Sequence, residues 1–403
     1  MNENPRNFPP VSTTAPGPRH LLWLVLPLIV LVAAVLWLLE GDPLRGFDNG
    51  APPVENLTVE RTVLDEDGLR LQVRAGSSEP MTIAQVQVDS AYWQFRQDPS
   101  GTISRGDTAW VAIPFPWVLG EAHKVTFVTN TGATFDHEIP VAVPTSKVSG
   151  SGLASQALLG AFVGILPVAI GLLCYPALRG AGRNTMTFLL AMTVGLLAFL
   201  FVDTMIEASE FAEESAAIFQ GSVMVILTAV ASFLALVAIG RRHGGSPTGL
   251  ALATYIAIGI GLHNFGEGLA IGAAFAAGAA GLGTFLVLGF TLHNITEGIG
   301  IAAPILHIRP KIVHFLGLAM LAGGPAVLGI WLGSLAVAPH WTAIVLAIGA
   351  GAIAQVIVEV TAIVARGHDA RGDYTRMLNP AAFGGIAAGL AFMYVTAMLV
   401  KIS

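Results

Sequence analysis

The chain has 403 residues, 54% of them apolar and 11% charged, with a formal net charge of −6. Soluble domains carry roughly a quarter charged residues, so these figures exclude an ordinary soluble enzyme, a coiled coil and a disordered chain, and the acidic balance excludes a nucleic-acid partner. The single cysteine, Cys174, excludes a disulfide framework, a CxxC redox pair and a thiolate zinc site.

Residues 1–20 are polar and proline-rich and read as a cytoplasmic tail. Residues 21–39 form an uncharged run of 19 residues, long enough to cross a hydrocarbon layer of about 30 Å. A signal peptide would have an apolar core of about 7–15 residues ending at small residues. This run ends Trp37-Leu38-Leu39-Glu40, so a retained transmembrane anchor is expected.

Residues 41–150 hold 14 Asp/Glu and 8 Lys/Arg. Alternating runs at Leu69–Val73 and Ile83–Val88 are separated by turn signals at Asp67-Gly68, Pro99-Ser100-Gly101 and Thr131-Gly132. Such period-two runs predict a small all-β sandwich or barrel. Within it, Met81, His123 and Asp136-His137-Glu138 follow no recognised ligand spacing and are read as ordinary structural residues. Trp93, Trp110 and Trp117 are read as its aromatics, and residues 141–152 as a linker.

From Leu153 onward eight apolar spans are expected, at about 153–178, 185–208, 217–240, 249–275, 281–306, 312–336, 342–365 and 381–401. One alternate set of connecting loops holds nine basic residues: Arg179, Arg183, Arg241, Arg242, Arg309, Lys311, Arg366, Arg371 and Arg376. The other set holds none. The basic side is cytoplasmic by the positive-inside rule, which puts residues 41–150 and the C-terminus outside. The predicted fold is therefore an all-α eight-helix membrane bundle with an N-terminal transmembrane helix and a small extracytoplasmic β domain. Lipid bilayer is one partner, and short loops without a targeting peptide suggest a prokaryotic plasma membrane.

The fourth and fifth spans repeat one another at an offset of 30: Leu262-His263-Asn264-Phe265-Gly266-Glu267-Gly268 aligns with Leu292-His293-Asn294-Ile295-Thr296-Glu297-Gly298. On a helix, His and Glu four apart share a face and Asn sits about 100° around. Two facing helices would offer two imidazoles, two carboxylates and two amides to one place. An ionised side chain at the bilayer centre costs roughly 2.5–3.5 kcal/mol on insertion scales. The spans contain no lysine or arginine at mid-depth to offset it. A divalent cation would, and imidazole with carboxylate suits Zn²⁺, Fe²⁺ or Mn²⁺. Asp203 and Glu207 share a face of the second span, and Gln355 and Glu359 one of the seventh; both pairs are candidates for a cation path. Glu207 also reads as part of a solvated acidic loop with Glu210, Glu213 and Glu214. His314 is read as an interface residue.

At these motifs the sequence resembles the ZIP (ZRT/IRT-like) family of divalent metal transporters, over about residues 153–403. The resemblance is closest at His263–Gly268 and His293–Gly298, which look like that family's fourth- and fifth-helix signatures. It implies metal ligation by His263, Asn264, Glu267, His293, Asn294 and Glu297, with Asp203 and Glu359 at positions often acidic in the family. Gly266 and Thr296 stand where members often have proline, and Gly323-Gly324-Pro325 lacks the glutamate many carry in the sixth helix. The function implied is metal import by alternating access, with the metal as substrate, no resident cofactor and no catalysis. A homodimer is one arrangement open to such a bundle. Two other readings stay open: an intramembrane metalloenzyme, since histidine and glutamate also activate metal-bound water, and a metal-responsive receptor that signals through the β domain.

Overall fold

The structure, a computed structural model, describes residues 18–41, 53–145, 150–180, 182–241, 247–276, 280–335, 338–366 and 379–401. The expected cytoplasmic tail up to residue 17, most of the linker core at 146–149, and the loops with Arg242, Arg371 and Arg376 lie outside the described residues. Among the described residues, the N-terminal unit carries one helix, α1 (Pro18–Gly41). Its apolar stretch Val25–Trp37 is shorter than the spans that can cross a membrane, so the anchor expected at 21–39 is described only as a short apolar helix.

The second unit begins with a β-sandwich. Its strands are β1 (Leu57–Asp65), β2 (Gly68–Ala75), β3 (Ile83–Val88), β4 (Ala91–Trp93), β5 (Arg96–Asp98), β6 (Thr108–Ile113), β7 (His123–Thr129) and β8 (Thr134–Ile139). They form two antiparallel four-stranded sheets in the orders β1-β2-β6-β5 and β4-β3-β7-β8. Alternation places Leu69, Leu71 and Val73 of one sheet against Val86, Val88, Val125 and Phe127 of the other in a shared core. Gly68, at φ +120°, closes the β1–β2 hairpin, a backbone conformation that favours glycine. Between Val59 and Arg61 the β1–β2 register shifts, leaving Glu60 as a bulge residue. The histidines read as structural have local partners: His123 Nδ1 pairs with Asp89 at 2.8 Å, and His137 Nε2 with Thr62 at 2.9 Å. Met81 is buried in the core.

Eight helical spans, among the described residues, are long and apolar enough to cross a membrane. The first comprises α2 (Gly150–Gly160), a π-helical turn (Ala161–Ile165), α3 (Leu166–Leu173) and α4 (Tyr175–Leu178). Then come α5 (Arg183–Glu213), α6 (Gly221–Gly240), α7 (Gly249–Ala276) and α8 (Ala280–Ala302). The sixth span is α9 (Ile312–Gly323) and α10 (Pro325–Gly333), followed by α11 (Pro339–Arg366) and α12 (Pro380–Lys401). The span expected from residue 217 starts instead at Gly221. Ala217–Phe219 form a separate 3₁₀ turn, and Gln220 takes a left-handed φ of 47°. The spans expected at about 153–178 and 312–336 are both interrupted at their middles. Proline explains both breaks: it lacks an N–H and clashes with the preceding turn, and Pro167 and Pro325 sit just after them.

The helices pack in two sets. In one, α5, α6, α11 and α12 pack on each other; in the other, α3, α7, α8, α9 and α10 do so, with α11 against α7 the main seam. Close approach inside the second set rests on glycine. Gly164 and Gly323, at the two helix breaks, lie backbone to backbone, and a Cβ on Gly164 would meet Gly323 O at 2.3 Å. Membrane helices commonly use small residues in this way.

Candidate metal centre

The repeated motifs lie within α7 and α8, and all six of their His, Asn and Glu side chains are buried, while Thr296 is half-buried. Glu267 is the hub. Its Oε1 lies 2.8 Å from His263 Nε2 on the same helix and 2.6 Å from His293 Nε2 across the pair. The His263 and His293 rings stand 6.3 Å apart at 38°. Ligand atoms of His263, Glu267 and His293 all fall within 4.8 Å of one another. The i, i+4 spacing gives the His–Glu contact on α7; the offset of 30 brings the second imidazole.

The asparagines cross between repeats. Asn264 Nδ2 donates to Glu297 Oε2 at 3.3 Å, and Asn294 Nδ2 to Glu267 Oε2 at 3.5 Å. Each also donates, at 3.0 Å, to a backbone carbonyl at a helix break: Asn264 to Ala322 O, Asn294 to Val163 O. Pro167 has no N–H for the carbonyl four residues back, which is Val163. Ala322 lies in the last turn of α9, where carbonyls have no intrahelical partner. The broken helices thus hold the two amides by their nitrogens. Sequence reading did not name Val163 or Ala322; the signal for both was a proline within an apolar span.

What remains unsatisfied defines the chemistry. Asn264 Oδ1, Asn294 Oδ1 and Glu297 Oε1 are buried with no hydrogen-bond partner among the described residues. All three are acceptors, and buried polar atoms are seldom left unpaired. Grouped around two imidazoles and a second carboxylate, they form an oxygen-and-nitrogen set that a divalent cation satisfies. Thr204 on α5, also missed in the sequence, places its Oγ1 3.3 Å from His263 Nδ1, the usual position of a group that orients a ligating imidazole. Phe290 packs edge-on against His293 with centroids 5.5 Å apart. A small cavity lined by Thr193, Ile260, His293, Thr296, Glu297 and Met393 adjoins the cluster, with room for about one water molecule.

The other expected site residues lie farther out. Asp203 and Glu207 stand on α5 within electrostatic reach of the cluster: Glu207 interacts with Asp203, His263 and Glu267, and Asp203 with His293. Neither makes a hydrogen bond to it among the described residues. Gln355 and Glu359 are buried on α11, one turn apart, and Gln355 Nε2 has no hydrogen-bond partner among the described residues. His314 Nδ1 accepts the Lys311 N–H at 3.1 Å, at the start of α9. No protein-family model and no curated protein matches the chain.

Proposed function

We propose that the protein is a divalent metal importer of the ZIP (ZRT/IRT-like) type, carrying Zn²⁺, with Fe²⁺ or Mn²⁺ as alternative substrates. The observation that carries the reading is the donor cluster: two imidazoles, two carboxylates and two amide oxygens buried on paired membrane helices with three acceptor atoms unpaired. A cation supplies the missing charge, and its lability makes the site a station rather than a fixture. Broken helices beside the cluster fit a transport site, because irregular backbone in a membrane is tolerated where it lines a cavity or binding site. The cation enters past Asp203 and Glu207, exchanges water for His263, Glu267, His293 and Glu297, and leaves inward, with Gln355 and Glu359 on the path. Asn264 and Asn294 add neutral oxygens. The arginine-bearing loops face the cytoplasm of a prokaryotic plasma membrane, so the β-sandwich lies outside. The protein is a carrier and catalyses no reaction. The test is zinc uptake by purified protein in liposomes. Glu267→Ala with Glu297→Ala abolishes uptake while the protein still inserts; unchanged uptake overturns the assignment.

A further inference from the structure

The β-sandwich meets the helical bundle through a closed ring of four side chains. Glu60, on β1, is 6% exposed although it is a charged residue on a strand. The register shift at this position re-aims its side chain, as bulges do. Arg74, on β2, grips it with both nitrogens: Nε to Oε1 at 2.6 Å and Nη2 to Oε2 at 2.9 Å. Arg74 Nη1 also donates to Gly106 O at 2.5 Å, so the guanidinium is fixed within the sandwich. Its face lies over the ring of Phe219, 5.3 Å from the centroid, a cation–π contact. Phe219 belongs to the turn between α5 and α6, and it stacks on His340 at 4.3 Å and 20°. His340, in the first turn of α11, is 5% exposed, and its Nδ1 faces Glu60 Oε1 at 3.5 Å, an ion-pair distance without hydrogen-bond geometry. Burial alone would raise the Glu60 carboxyl, but His340 and Arg74 outweigh it and hold it below its ordinary value.

The ring's bundle residues, Phe219 and His340, belong to one helix set. The α5–α6 turn and α11 lie with α5, α6 and α12, whereas all six cluster side chains sit on α7 and α8 in the other set. We propose that the β-sandwich is a fixed brace on the helix set that does not carry the donor cluster, attached through Glu60, Arg74, Phe219 and His340. The other set then moves against a held partner. The brace function rests on the transport reading; the docking itself does not. Two separate contacts join sandwich to bundle, Arg74 with Phe219 and Glu60 with His340, so the attachment does not hang on one pair.

The test uses the full chain in lipid nanodiscs and a substitution outside the sandwich fold. Phe219→Leu keeps an apolar side chain but removes the aromatic face; Phe219→Tyr keeps that face. In Phe219→Leu, amide exchange at 216–221 and 339–343 rises about tenfold, a local opening, and Phe219→Tyr returns it to the wild-type level. The zinc dissociation constant stays within about twofold, because the cluster residues keep their partners, and zinc flux in liposomes falls. Unchanged exchange in Phe219→Leu overturns the ring as the attachment. A dissociation constant that weakens in step with exchange overturns the separation of brace from site. Unchanged flux despite faster exchange overturns the brace. Absence of flux in the wild type with zinc still bound refutes transport and with it the bracing function, while the exchange pattern still decides the docking.

Discussion

Glu267 Oε1 accepts from two imidazoles at once, at 2.8 and 2.6 Å, while among the described residues Glu297 is bonded by the Asn264 amide alone and keeps a bare oxygen. The two repeats share their His, Asn and Glu and are unequal in place. That Glu and His would converge was legible from the offset of 30 and the i, i+4 spacing. Which carboxylate became the hub was not, because it depends on how α7 and α8 face each other, and the shared donor residues carry no information about that. The asymmetry has a measurable consequence. Glu267→Gln keeps shape but removes the charge between both imidazoles, and zinc affinity by titration calorimetry falls more than about 100-fold, beyond the 10–100-fold typical of an outer-shell change. Glu297→Gln costs less than Glu267→Gln. Equal losses would show that the carboxylates are interchangeable.

Eight spans were legible among the helices because apolar runs of this length have few alternatives in a polypeptide. The breaks at Pro167 and Pro325 were signalled by proline, but their partnership was not: Gly164 and Gly323 are 159 residues apart in sequence and touch in space. Glycines at the ends of the two repeats do equivalent work. A Cβ on Gly268 would meet Ala326 O at 2.2 Å, and one on Gly298 would meet Val168 O at 2.2 Å. Each sets a cluster helix against a broken one. Gly298→Ala therefore overpacks the α3–α8 contact and lowers stability by about 1–3 kcal/mol, read as earlier thermal unfolding in detergent. Gly317→Ala on α9 is the control: a Cβ there meets nothing within 4 Å, so removing a helical glycine is neutral or stabilising by up to about 1 kcal/mol. Equal effects at both positions would refute the packing argument.

At the scale of the whole molecule, composition set a β region apart from a helical bundle, and the two alternating runs singled out in the sequence lie in β2 and β3. The contact between sandwich and bundle was hidden, since Glu60, Arg74, Phe219 and His340 are scattered over 280 residues with no shared pattern. Its clearest local trace, a register shift at Glu60, depends on strand pairing rather than on composition. The buried donor cluster is the feature on which the molecule's proposed role turns, and zinc X-ray absorption on the metal-loaded full chain reads it directly. The spectrum is predicted to show nitrogen and oxygen ligands at about 2.0–2.2 Å, with two imidazoles and no sulfur, and to lose imidazole scattering in His263→Ala with His293→Ala. Zinc bound without imidazole, or a spectrum unchanged by that double substitution, would place the metal elsewhere and contradict the site.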